Sequence, residues 1–172
     1  MPVVLTRIDH KLVHGQILSG WVDHLKINKI VVVDEEIINQ EKIMEIFSSA
    51  LTDNCQISFR APSDLSGELQ DCLDQRKRCL ILFKDLQGAR DTIKFELDQY
   101  GKKPFESLNL GNYAPKEEEL ERIEINKSFS VTKKELENLR WIANQGIKLY
   151  SQSVPNDTKI IVDLAKLNYP RP

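Results

Sequence analysis

The stretch Arg7-Ile8-Asp9-His10-Lys11-Leu12-Val13-His14-Gly15-Gln16 decides how the chain is read. A short apolar run, Val3-Val4-Leu5, precedes it and has the length and β-branched content of a strand. Ile17-Leu18, Trp21-Val22 and Leu25 follow, spaced about one helical turn apart. The stretch is therefore a strand-to-helix crossing, with His14 close to the predicted helix start. In an α/β sheet, ligands bind outside the carboxyl ends of the strands. Backbone N–H groups at a helix start favour an anion in the same place. A histidine set there is a candidate phosphoryl carrier.

Working outward, Ile30-Val31-Val32-Val33 and Cys79-Leu80-Ile81-Leu82-Phe83 lack polar alternation, as strands covered on both faces do. Asp34 and the pair Lys84-Asp85 stand at their carboxyl ends. Gln56 to Arg60 and Glu106 to Leu110 read as further strands, the second turning at Gly111-Asn112. Residues 121–126 and 129–131 read as an alternating pair, a hairpin or an edge. Ile147 to Val154 alternates as a last strand. Helices are expected over 40–51, from Ser63 or Asp64 through Leu65, Leu69 and Leu73, and from Gly88 through Leu97. Thr132-Lys133-Lys134-Glu135 fits a capping box, and its helix stops at Gly146. A final helix is expected through Ile160, Ile161, Leu164 and Leu167, ending before Pro170. Strands alternating with helices imply an α/β fold: a single domain over 1–172 with an open, mostly parallel β-sheet and helices on both faces.

Composition narrows the function classes. With 172 residues, 41% hydrophobic and 29% charged, the chain can bury a real core. The net charge of −2 gives no basic footprint for nucleic acid. No run approaches the ~20 apolar residues of a membrane span, and residues 1–7 do not resemble a signal peptide. The expected location is cytoplasmic. Cys55, Cys72 and Cys79 are odd in number and lack Cys-x-x-Cys spacing, so buried or incidental thiols are expected rather than a disulfide framework. The acidic run Lys116-Glu117-Glu118-Glu119 reads as a solvated face.

All three histidines, His10, His14 and His24, fall within the first 24 residues. His10 and His14 are four apart, a spacing that could hold a metal on a helix, but His10 belongs to the loop and only Asp9 is a nearby carboxylate. A carrier asks instead for a nucleophilic imidazole, donors for the transferred oxygens, and access for large partners. Arg7 and Lys11 can supply positive charge, and Gly15 allows close backbone approach. Gln16 can orient the ring or donate to a phosphoryl oxygen; Asp9 can hold Arg7, Lys11 or a loop amide. No Walker A, Gly-x-Gly-x-x-Gly or Gly-x-Ser-x-Gly motif competes with this reading.

Arg7-Ile8-Asp9, Lys11-Leu12-Val13-His14-Gly15-Gln16 and Trp21 resemble the active-site signature of the B component (IIB) of the sugar phosphotransferase system, mannose/fructose/sorbose class. The resemblance extends in order through Ile30 to Asp34, Leu80 to Lys84, Leu108-Asn109-Leu110-Gly111 and Gly146-Ile147 … Gln152-Ser153-Val154-Pro155-Asn156-Asp157, essentially the whole chain. It implies that His14 accepts a phosphoryl group from the IIA phosphohistidine, through Nδ1, and passes it to a sugar entering through the membrane components IIC and IID. Arg7, Asp9, Lys11 and Gln16 would support the transfer, with Gly15, Asn109 and Gly111 near the phosphate. No metal or organic cofactor is expected, and a homodimer is compatible with the sequence. The family usually has an acidic residue where His10 stands, arginine where Lys11 stands, and a small residue in place of Asn112-Tyr113. A regulatory phospho-acceptor of the same fold, uncoupled from transport, is the alternative reading.

Overall fold

The computed structural model describes residues 3–72, 76–115 and 121–167. The first five strands of the parallel sheet are β1 (Val3–Asp9), β2 (Lys29–Val33), β3 (Gln56–Arg60), β4 (Cys79–Phe83) and β5 (Ser107–Asn112). A hairpin, β6 (Ile123–Asn126) and β7 (Phe129–Val131), forms a separate antiparallel pair. Then come β8 (Lys148–Ser151) and β9 (Ile160–Ile161). The main sheet has the order β3-β2-β4-β1-β5-β8-β9; only β9 runs antiparallel to its neighbour. The expected α/β fold with an open, mostly parallel sheet and helices on both faces is what the chain adopts.

Strand alternation divides two cores between the faces. Val31, Val33, Ile81 and Phe83 point to one side, with α3 (Leu65–Asp71), α4 (Leu86–Tyr100) and α5 (Lys133–Asn144) over them. Ile30, Val32, Leu80 and Leu82 point to the other, beneath the helix that follows β1 and beneath α2 (Glu41–Ser49). Ile30 to Val33 and Cys79 to Phe83 are covered on both faces, which is why these runs carry no polar residue. The capping box forms: Thr132 accepts from the Glu135 N–H and Glu135 accepts from the Thr132 N–H. Neither Ser63 nor Asp64 caps α3 by its side chain; a turn of 3₁₀-helix, Pro62–Asp64, leads in instead. Leu73, the acidic run 116–119 and Pro170 lie outside the described residues.

Three expectations are corrected. The helix after β1 is a π-helix, Gln16–Val22, that passes into the single α-turn α1 (Asp23–Leu25). The predicted final helix is absent at Ile160 and Ile161, which form β9 against Tyr150 and Ser151. Their apolar spacing imitated a buried helix face, yet both stand exposed on the sheet edge, at 60% and 66%. Cys72 and Cys79 are joined in a disulfide that ties the end of α3 to the first residue of β4. Only the fold, which returns α3 to the start of β4, brings these thiols together; their spacing announces nothing. Cys55 is a free, buried thiol, as expected.

Candidate functional site

Strand β1 breaks the rule that a central strand is apolar. Arg7 and Asp9 share one face with Leu5, and both are completely buried. Register explains how that face holds them. Arg7 pairs across to Asn109 of β5, and Asn109 pairs with Tyr150 of β8, so the three side chains stand in a row. Two residues beyond Asn109 on the same face comes Gly111, where a Cβ would overlap the Arg7 guanidinium. The glycine is therefore the space the cation occupies. Trp21 of the π-helix closes the top, its ring 5.5 Å from Arg7 Cζ.

Arg7 spends its donors inside this pocket. Nε and Nη2 donate to Asp9 Oδ2 at 3.2 and 2.9 Å, and Nη1 donates to the Gln152 carbonyl at 2.9 Å. Burial pulls the guanidinium below its ordinary pKa, and the Asp9 carboxylate opposes that shift by holding the charge. Burial likewise pushes the Tyr150 phenol up, against the pull of Asn109 and Arg7. The Asn109 amide lies beside that phenol, with neither of its polar atoms in a complete hydrogen bond.

The other Asp9 oxygen organises the loop. Oδ1 accepts the Lys11 N–H at 3.2 Å and lies 3.1 Å from His14 Nε2. The Asp9 carbonyl accepts the Leu12 N–H at 2.9 Å, closing a turn in which Leu12 takes the left-handed conformation at φ 53°. A buried leucine in that conformation is held by its surroundings, here by the apolar cluster it joins. The turn aims His14 back at Asp9. His14 Nε2 is buried, close to Asp9 but not aligned into a full hydrogen bond, so the side chain's 20% exposure falls on the rest of the ring. Ile17 and Leu18 both donate to the His14 carbonyl at 2.9 and 3.0 Å, which starts the helix immediately beyond the ring.

The predicted site residues thus fall into two groups. Arg7, Asp9 and His14 form one connected set, joined by the Lys11 backbone, while Asn109 and Gly111 shape the bed of Arg7 beneath it. The side chains of Lys11 and Gln16 are exposed at the rim, with Gly15 between His14 and the helix. His10 lies in the loop, its Nδ1 3.1 Å from the Asn112 carbonyl. Sequence reasoning passed over the carbonyls of Gln152 and Ser153, which receive Arg7 and the Trp21 indole N–H, the latter at 3.3 Å. Backbone acceptors leave no residue-type signal.

Comparison with known proteins shows the family. The family described as PTS system sorbose subfamily IIB component matches residues 3–169. The N-acetylgalactosamine-specific phosphotransferase enzyme IIB component 1 of Escherichia coli is 29% identical over 160 residues, covering 91% of this chain and 94% of its own. The fructose-specific EIIB component of Bacillus subtilis is 26% identical over 157 residues, covering 91% of each. Among solved structures, that Escherichia coli protein superposes with a TM-score of 0.76 at 25% identity, over 94% of this chain and 99% of its own. The IIBSor domain of the Klebsiella pneumoniae sorbose permease shares the fold, with a TM-score of 0.77 at 19% identity over 93% of each chain. With its polar set buried at the carboxyl end of β1, the chain belongs to the sorbose subfamily of phosphotransferase-system IIB components, the phosphotransfer carriers of sugar uptake.

Proposed function

We propose that residues 1–172 act as a single cytoplasmic IIB domain in which His14 Nδ1 carries the phosphoryl group. The observation that supports this reading is the division of the imidazole: Nε2 is buried 3.1 Å from Asp9, and the exposed part of the ring faces away from it. A proton kept on Nε2 leaves the lone pair on Nδ1 for attack. In the first transfer, Nδ1 forms a bond to phosphorus as the bond to the IIA histidine breaks, and the IIA imidazole leaves with that electron pair. In the second, a sugar hydroxyl oxygen forms the new bond to phosphorus as the bond to His14 breaks; Nδ1 keeps that electron pair, and the hydroxyl proton passes to water. Asp9 stabilises the Nε2–H form throughout. Lys11 at the rim and the open N–H groups at the helix start offer charge and donors to the phosphoryl oxygens. Arg7 acts through Asp9, since each of its three nitrogens already donates within the pocket. IIA would supply the phosphoryl group, and the IIC and IID membrane components would present the sugar.

The test is phosphorylation from phosphoenolpyruvate through the general phosphotransferase proteins and a matching IIA, followed by intact-mass analysis. One acid-labile phosphoryl group, lost in His14→Ala, is expected. Phosphate retained in His14→Ala would overturn the assignment. Stable phosphorylation of His14 that no sugar-transporting membrane partner discharges would move the protein to the regulatory alternative.

A further inference from the structure

We infer that the Gln152 side chain is a positioning residue for the chemistry of His14, acting across the sheet through its own loop. The inference rests on the carrier reading above. The Gln152 amide does not point at the site. Its Nε2 donates to the carbonyls of Pro155 and Asp157, at 3.0 and 2.9 Å, and folds residues 152–157 into a closed loop. Asp157 fastens the same loop from the other side: its N–H donates to the Val154 carbonyl at 3.0 Å, and its Oδ2 accepts the Val154 N–H at 3.3 Å. With the loop closed, the Gln152 carbonyl faces inward to Arg7, the buried cation, and the Ser153 carbonyl to Trp21, whose ring covers it.

A continuous line therefore runs from the Gln152 amide through its carbonyl to Arg7, from Arg7 to Asp9 Oδ2, and from Asp9 Oδ1 to His14 Nε2. The Arg7 pocket is too full to tolerate a change quietly. Gly111 leaves no spare volume on one side, and Trp21 covers another. If the Gln152 carbonyl swings away, a guanidinium N–H loses that acceptor in a fully buried site, where a donor left unpaired is costly. Arg7 then turns to recover a partner, and its other partner is Asp9. The displacement reaches the imidazole as a changed orientation of the carboxylate that holds the Nε2 proton. A glutamine suits this task because it offers two N–H donors on one nitrogen, one for each loop carbonyl. A glutamate would set a carboxylate against both.

The experiment uses Gln152→Met, which keeps the length of the side chain and removes both donors. Circular dichroism and a thermal melt establish that it folds; Gln152→Asn, a shorter amide, serves if it does not. Two readouts follow. Nitrogen-15 NMR of the imidazoles reports the tautomer of His14 without any partner protein. Rapid-quench transfer from phosphorylated IIA reports the rate, in wild-type and Asp9→Asn backgrounds. Expected are a shift of His14 away from the Nε2–H tautomer and about a tenfold slower transfer, in line with other groups that orient a reactive one. IIA affinity stays unchanged, and the substitution costs little further rate once Asp9 is Asn. An unaltered tautomer, or the same fractional loss in both backgrounds, would overturn the inference and leave Gln152 a loop residue. Failure of wild type to accept phosphate would instead strike the carrier reading, while the tautomer measurement still decides the role of Gln152.

Discussion

Asp9 Oδ1 stands 3.1 Å from His14 Nε2, and the aspartate is completely buried. One carboxylate therefore serves a histidine and, through its other oxygen, a buried arginine. In Asp9→Asn the Arg7 charge stays in the interior without its counter-charge. Breaking a buried pair in this way costs about 3–5 kcal/mol, read as a lower urea midpoint. Transfer to His14 should fall by about 10- to 100-fold, because Nε2 then faces a neutral amide instead of a carboxylate. Full activity in a folded Asp9→Asn protein would remove Asp9 from the mechanism.

Gly111→Ala places a methyl group where the Arg7 guanidinium lies. The backbone there is ordinary, so the effect comes from volume alone. Overpacking of this kind costs about 1–3 kcal/mol, and the displaced arginine should slow phosphotransfer as well. Chemical denaturation and a quench assay on the same preparation check both halves. The adjacent Asn112→Ala, at the end of the strand, serves as the control that leaves the Arg7 pocket unfilled.

Lys11 contributes charge from the surface. Its backbone N–H is fixed by Asp9, but its side chain is exposed. Lys11→Ala should therefore slow transfer from IIA far more than Lys11→Arg, with neither altering stability by more than about 0.5 kcal/mol. Equal rates for the two variants would refute a role for the charge.

Glu68, buried on α3, lies 3.1 Å from Lys29 Nζ and also pairs with Arg60. Burial works to raise its pKa, but bonds and charges from Lys29, Arg60 and Ser58 outweigh burial, and the value falls below the ordinary glutamate range. A carboxyl whose pKa is depressed by folding stabilises the native state above its unfolded value, about 4.3. That stabilisation is lost as pH falls through the folded value. Glu68→Gln should be less stable than wild type at pH 7, with the difference shrinking on acidification below about pH 4. Urea titrations at several pH values would show it; a gap that widens on acidification contradicts the sign.

Much of this was legible in the residues. The buried runs Ile30 to Val33 and Cys79 to Phe83 contain no polar side chain, the capping box at Thr132 names the start of α5, and the polar stretch from Arg7 to Gln16 marks the site, although its first residues, Arg7 and Asp9, turn out to belong to the buried strand β1 itself. Misfits of that kind are where a site is expected. The π-helix was not legible, because a wider helical turn preserves nearly the same apolar spacing at Ile17 and Trp21. Strand β9 was hidden for the opposite reason: Ile160 and Ile161 are apolar but face solvent, so periodicity pointed the wrong way. The link between Arg7 and Gln152 joins residues 145 positions apart through a carbonyl, a group every residue owns.

The depth of Arg7 has a consequence for how the carrier responds to its medium. Counter-ions at physiological ionic strength screen charges over about 8 Å of water, yet they cannot enter a pocket sealed by Trp21, Gly111 and the 152–157 loop. Lys11, in the open, feels them fully. Added salt should thus weaken the first approach of a docking protein while leaving the internal alignment of His14 untouched. Encounter and chemistry in this molecule answer to different solvents: one to the surrounding water and its ions, the other to the protein itself.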